Sequence, residues 1–119
     1  MLSGTRSNNC PLVDPGGGAY FDDNYFGSSA ILIQKFTNLG VLEWATLYSG
    51  TCTAPGIFVT PESITIDQFG DVYILGLTTC SSIPLLDPGN GAYFQDNDTD
   101  ADQDLIILKV TNNGQLLWA

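Results

Sequence analysis

The sequence predicts an all-β fold built from four-stranded antiparallel meander sheets, and three observations predict it. Residues 11–21 (PLVDPGGGAYF) recur as residues 84–94 (PLLDPGNGAYF), and residues 35–45 (KFTNLGVLEWA) recur as 109–119 (KVTNNGQLLWA), at offsets of 73 and 74 residues. Short runs rich in Val, Ile, Leu, Tyr, Phe and Trp alternate with clusters of Gly, Asp, Asn and Thr, the punctuation of strands and turns. No stretch carries the 3.6-residue periodicity of an amphipathic helix.

Within one period the strands fall at 63–66, 72–77, 105–110 and 115–118. The first pair is joined by Asp67-Gln68-Phe69-Gly70 and the second by Thr111-Asn112-Asn113-Gly114. In both, an Asp or Asn can bond its own backbone and a Gly accepts positive φ, so both read as tight hairpins. The earlier copy keeps strands at 31–36 and 41–47, and residues 1–5 form the tail of its second strand; its first strand lies outside the sequence. The chain thus holds roughly 1.6 periods, and a fixed period of this length marks an architecture in which each unit buries its faces on its neighbours. Tandem four-stranded sheets are the pattern of β-propeller blades, here a partial propeller. The division expected is a partial blade at 1–50, an inter-blade connection at 51–62, and a nearly complete blade at 63–119 with a long acidic loop at 84–104. The apolar run Leu105-Ile106-Ile107-Leu108 fits a strand covered on both faces, whereas 63–67 alternates as a strand with one wet face does.

Composition narrows the partners. Of 119 residues 44% are hydrophobic, enough for a core, while thirteen Asp and Glu against three Lys and Arg give a net charge of −10. That charge repels nucleic-acid phosphates and anionic membranes, so neither nucleic acid nor membrane insertion is expected. No segment reaches the roughly 20 apolar residues of a membrane span, and no signal-peptide pattern follows Met1.

At these residues the chain resembles the bacterial β-propeller repeat called SBBP. The segment Asp67-Gln68-Phe69-Gly70-Asp71-Val72-Tyr73-Ile74-Leu75-Gly76-Leu77-Thr78, running on to Pro84, carries the first part of that pattern. Asp104 to Lys109 and Gly40 to Thr46 carry the rest. The chain departs from it at Ser3, in the place of the glycine matched by Gly76, at Ala30, opposite Asp104, and at Cys80, opposite Ser7. The resemblance implies a repeat module of a large secreted or cell-surface bacterial protein, and it supplies no catalytic residues.

Candidate sites are few. Asp96, Asp98, Asp100, Asp102 and Asp104 alternate along one loop and could offer several of the six to eight oxygens that calcium takes. Ala101 and Ile107 stand where an EF-hand needs Gly and an acid, so a solvated acidic loop is the expected reading, with calcium as the alternative and no other cofactor. Tyr20, Phe21, Tyr93 and Phe94 follow the repeated Asp-Pro-Gly turn. Loop aromatics can stack on a glycan or a protein, but because both copies keep them they read first as anchors of the loop on the blade edge. Trp44 and Trp118 occupy one strand position in the two copies and read as inter-blade packing. Cys10, Cys52 and Cys80 are expected as free thiols, with Cys52–Cys80 the candidate disulfide.

The chain has no histidine, which removes Ser-His and Cys-His nucleophiles. It therefore reads as a non-catalytic structural or adhesive module that presents a loop face to protein or glycan. The alternative is a fragment of a carbohydrate-active propeller enzyme whose catalytic groups lie on other blades. Because 1.6 units leave apolar sheet faces uncovered, the isolated chain is expected to self-associate.

Overall fold

The computed structural model describes residues 2–5, 11–24, 29–54, 56–96 and 102–119. Among these residues seven strands form two antiparallel sheets. The first holds β1 (Leu2–Thr5), β2 (Ala30–Phe36) and β3 (Leu42–Tyr48), in that order; the second holds β4 (Val59–Ile66), β5 (Val72–Thr78), β6 (Asp104–Val110) and β7 (Leu116–Trp118). The second sheet is a four-stranded meander, the blade-like unit expected, and the fold is all-β. Among the described residues no helix is long and apolar enough to cross a membrane.

Three hairpins share one geometry. Gly40, Gly70 and Gly114 donate to the carbonyls of Thr37, Asp67 and Thr111, and the N–H of each of those residues donates to the carbonyl of Val41, Asp71 or Gln115. Each glycine sits at φ between 81° and 84°. A Cβ is strained in that left-handed conformation, which is why the turn sequence repeats.

The two sheets pack face to face. Ile31, Ile33, Trp44 and Tyr48 of the first sheet meet Val59, Ile74, Ile106, Leu108 and Val110 of the second in one buried cluster. Gly76 makes the approach possible, because a Cβ there would lie 2.7 Å from the Thr60 carbonyl oxygen and 3.1 Å from Ile31 Cδ1. The far side of the first sheet buries Ala30, Leu32 and Leu47 under Leu12. Trp44 is an inter-sheet packing residue; Trp118 is half-buried, edge-on to Tyr73 with ring centroids 6.1 Å apart.

Three features differ from the sequence expectations. The strand placed at 63–66 begins at Val59, inside the connection assigned to 51–62. Pro61 masks the start, yet β4 is an edge strand with a register shift between Pro61 and Ser63, a setting that tolerates a missing N–H. The run Leu105–Leu108 is covered on one face only: Ile106 and Leu108 are buried, while Leu105 is 69% and Ile107 51% exposed. Finally, each long loop adds a bridge to the outer edge of its sheet. Val13 and Ala45 exchange backbone hydrogen bonds of 3.0 and 2.9 Å, and Leu86 and Ala119 exchange bonds of 3.3 and 3.1 Å.

Candidate functional site

The repeated loop folds the same way twice. Asp14 Oδ1 accepts from the Gly16 N–H and Asp87 Oδ1 from the Gly89 N–H, each at 2.7 Å. The Ala19 and Ala92 N–H groups then donate to the Gly16 and Gly89 carbonyls at 3.1 Å. Beyond this point the copies diverge. Tyr20 is carried between the sheets, where its ring packs 5.9 Å from that of Tyr48 and its N–H donates to the Gly114 carbonyl at 3.1 Å. Tyr93, its counterpart, is 87% exposed, with its hydroxyl donating to Gln95 Oε1 at 2.7 Å. Phe21 and Phe94 are both half-buried.

Tyr93 and Phe94 stand beside Leu105, Ile107 and Trp118 along a groove of about 510 Å³, to which Asp96 and Asp104 also contribute. Leu105 and Ile107 pair across the sheet with Leu77 and Leu75, so the groove opens on the face of the second sheet turned away from the first. The lining is aromatic and aliphatic, flanked by carboxylates. The two aspartates are exposed.

Burial pushes the Tyr48 hydroxyl well above the ordinary tyrosine range, reinforced by Tyr20; burial and then the charge of Asp22 do the same to Tyr20. Tyr48 donates its hydroxyl to the Pro84 carbonyl, tying the first sheet to the loop that leaves the second.

Close by, Cys52 and Cys80 are joined by a disulfide with Cα atoms 5.7 Å apart, in place of the free thiols expected. A Cβ on Gly50 would run into Cys80 Sγ and lie 3.1 Å from the Ser82 carbonyl oxygen, so the bare backbone at Gly50 makes room for the bridge. Cys10 lies outside the described residues.

The chief charged cluster sits on the β4–β5 hairpin. Lys109 Nζ lies 3.0 Å from Asp71 and 3.6 Å from Asp67, and 5.0 Å from the centre of the Tyr73 ring. Desolvation acts to raise the Asp67 pKa, but hydrogen bonds from the Phe69 and Asp71 N–H groups and the Tyr73 hydroxyl, with the Lys109 charge, outweigh it and hold the carboxyl below its usual range. A carboxylate with a depressed folded pKa stabilises the fold above its unfolded pKa and loses that contribution as pH falls through the folded value. Asp67→Asn is therefore expected to lower the melting temperature at pH 7 and to flatten its decline below about pH 4, near the usual aspartate value. Scanning calorimetry from pH 7 to 2 checks this; parallel curves for the two proteins would remove Asp67 from the acid response.

Of the five aspartates considered for calcium, Asp98 and Asp100 lie outside the described residues, and Asp96, Asp102 and Asp104 are exposed. Among the described residues no group of three or more His, Cys, Asp or Glu side chains comes together as a metal site.

Residues 43–83 match the SBBP beta-propeller repeat family. The SBBP match starts within β3, crosses the connection carrying Cys52, takes in β4 and β5, and ends after Cys80, so it covers the junction between the two sheets and stops short of the second Asp-Pro-Gly loop. The comparison supports a β repeat module. No curated protein and no solved structure matches the chain.

Proposed function

We propose that the chain is a non-catalytic structural and binding module of a secreted or surface-attached bacterial protein, in which sheet-on-sheet stacking supports loops that meet protein or glycan. One observation carries this reading: two copies of one sequence unit lie face to face over a shared core, each with the same loop bridged to its outer strand. The polar contacts of that arrangement go into holding turns and edges. Asp14, Asp67 and Asp87 accept backbone N–H groups, and Lys109 bridges Asp67 and Asp71. The Cys52–Cys80 bridge supports an oxidising compartment, since cytosolic thiols are kept reduced.

The test is to lyse producing cells in a membrane-permeant alkylating agent, fractionate them, and map the labelled cysteines by mass spectrometry. The expected result is chain in the envelope or extracellular fraction with Cys52 and Cys80 protected from the label. Chain in the cytoplasm with both cysteines alkylated would overturn the exported reading.

A further inference from the structure

The dipeptide Asn-Gly occurs twice in the sequence, at Asn90-Gly91 and at Asn113-Gly114, and the fold treats the two in opposite ways. An asparagine followed by glycine has a chemistry of its own. With no side chain on the second residue, the backbone nitrogen can reach the amide carbon of the first. For that to happen the nitrogen must give up its proton and the chain must turn about the asparagine. What surrounds the glycine decides whether either can occur.

At Asn113 both are blocked. The Gly114 N–H donates to the Thr111 carbonyl at 2.9 Å, the Gly114 carbonyl accepts the Tyr20 N–H at 3.1 Å, and the Thr111 N–H donates to the Gln115 carbonyl at 2.8 Å. Gly114 is buried, and a Cβ on it would lie 3.0 Å from Pro15 Cγ and 3.6 Å from Trp44 Cε2. The nitrogen is tied into the hairpin turn between β6 and β7, with the first sheet's long loop against it. At Asn90 neither is blocked. Asn90 is exposed, and the Gly91 N–H makes no hydrogen bond to another described residue. A Cβ on Gly91 would meet no heavy atom within 4 Å, so the backbone has room to turn. Asn90 is also the one non-glycine residue at positive φ among the described residues, at 54°, where its counterpart in the first copy, Gly17, has φ 63°. An asparagine thus stands where the loop's conformation suits glycine.

From this contrast we infer that Asn90 is a site of spontaneous modification, deamidated through a succinimide, while the fold protects Asn113. Solvent hydroxide removes the Gly91 N–H proton and the nitrogen attacks Asn90 Cγ. As the N–Cγ bond forms, the Cγ–Nδ2 bond breaks and ammonia leaves. Water then opens the ring: cleavage at Cγ gives aspartate, and cleavage at the main-chain carbonyl carbon gives isoaspartate. No electrons are transferred, and water is the only reactant consumed. Either product places a new negative charge between the Asp87 turn and Tyr93. Isoaspartate also adds a methylene to the main chain inside the turn closed by the Ala92 N–H and the Gly89 carbonyl, so the turn that sets Tyr93 at the groove edge is lost.

Peptide mapping by mass spectrometry, on chain held at mildly alkaline pH and sampled over weeks, reads both asparagines at once, and the same series in urea supplies the unfolded reference. In the folded chain Asn90 is expected to convert and Asn113 to lag by about tenfold or more, the rate equivalent of the hydrogen bonds that Gly114 would have to give up. In urea both should convert at similar rates. Asn90→Gly, which restores the residue of the first copy, should remove the fast site and leave the slow one unchanged. Asn90 retained in the folded chain while it converts in urea, or Asn113 converting as fast as Asn90 in the folded chain, would overturn the assignment.

Discussion

Opening the Cys52–Cys80 bridge is expected to cost the folded chain on the order of 3–4 kcal/mol. The two cysteines are 28 residues apart in sequence, and cross-linking a loop of that size removes roughly this much free energy from the unfolded ensemble in the chain-entropy account. The loop encloses β4 and β5, so the bridge ties the exit of the first sheet to the end of β5, one of the second sheet's two inner strands. Cys80 is itself 3% exposed within the inter-sheet core. The appropriate variant is therefore Cys52→Ala/Cys80→Ala, which avoids placing serine hydroxyls beside that core. Urea unfolding of the oxidised chain, the same chain with dithiothreitol, and the double variant should give one high midpoint and two lower ones. Three coincident midpoints would show that the bridge does not constrain the chain in solution.

Ile31→Ala is the second large effect, expected at about 2–5 kcal/mol, the range for truncating a fully buried aliphatic side chain. Ile31 is 0% exposed and reaches the bare backbone of Gly76, where the β5 main chain has little scope to close the cavity. Leu105→Ala, the same position one repeat on, should change stability by no more than about 0.5 kcal/mol when measured on dilute monomer, as exposed substitutions do. The ratio of the two, taken from denaturant midpoints at equal slope, reports which face of each unit is covered. Equal losses at the two positions would mean that the sheets do not stack as described.

Much of this architecture was legible in the sequence because strands and turns leave local marks. The hairpins at Gly40, Gly70 and Gly114 were readable from Asp, Thr, Asn and Gly at fixed places, and the cores of β2, β3, β5 and β6 from runs of Ile, Leu, Val and Trp. The start of β4 was hidden because Pro61 is a strand breaker except at an edge, and being at an edge is a property of the whole sheet. The bridges at Val13 and Leu86 were hidden for a similar reason: a ladder of one residue pair has no periodicity to detect. Cys52 and Cys80 could be listed as partners, yet a separation of 28 residues does not fix a Cα distance of 5.7 Å.

The candidate site was harder still. Tyr20 and Tyr93 sit in nearly identical sequence, and Ile33 and Ile107 in equivalent strand positions, but one of each pair is covered by a neighbouring unit and the other is not. Local sequence records the capacity to bury a side chain. Whether it is buried depends on what lies across from it.

The bridged outer strands constrain how this molecule can aggregate. Val13 occupies the N–H and C=O of Ala45, and Leu86 those of Ala119, so the strand rows that would template cross-β growth are interrupted on that side of both sheets. The β4 edge is broken by Pro61 and its register shift. Fibril extension along the backbone hydrogen-bond direction is thereby discouraged at three of the four sheet margins. Any assembly formed through the sheet faces, by side chains, should dissolve on dilution and fail to bind dyes that recognise amyloid.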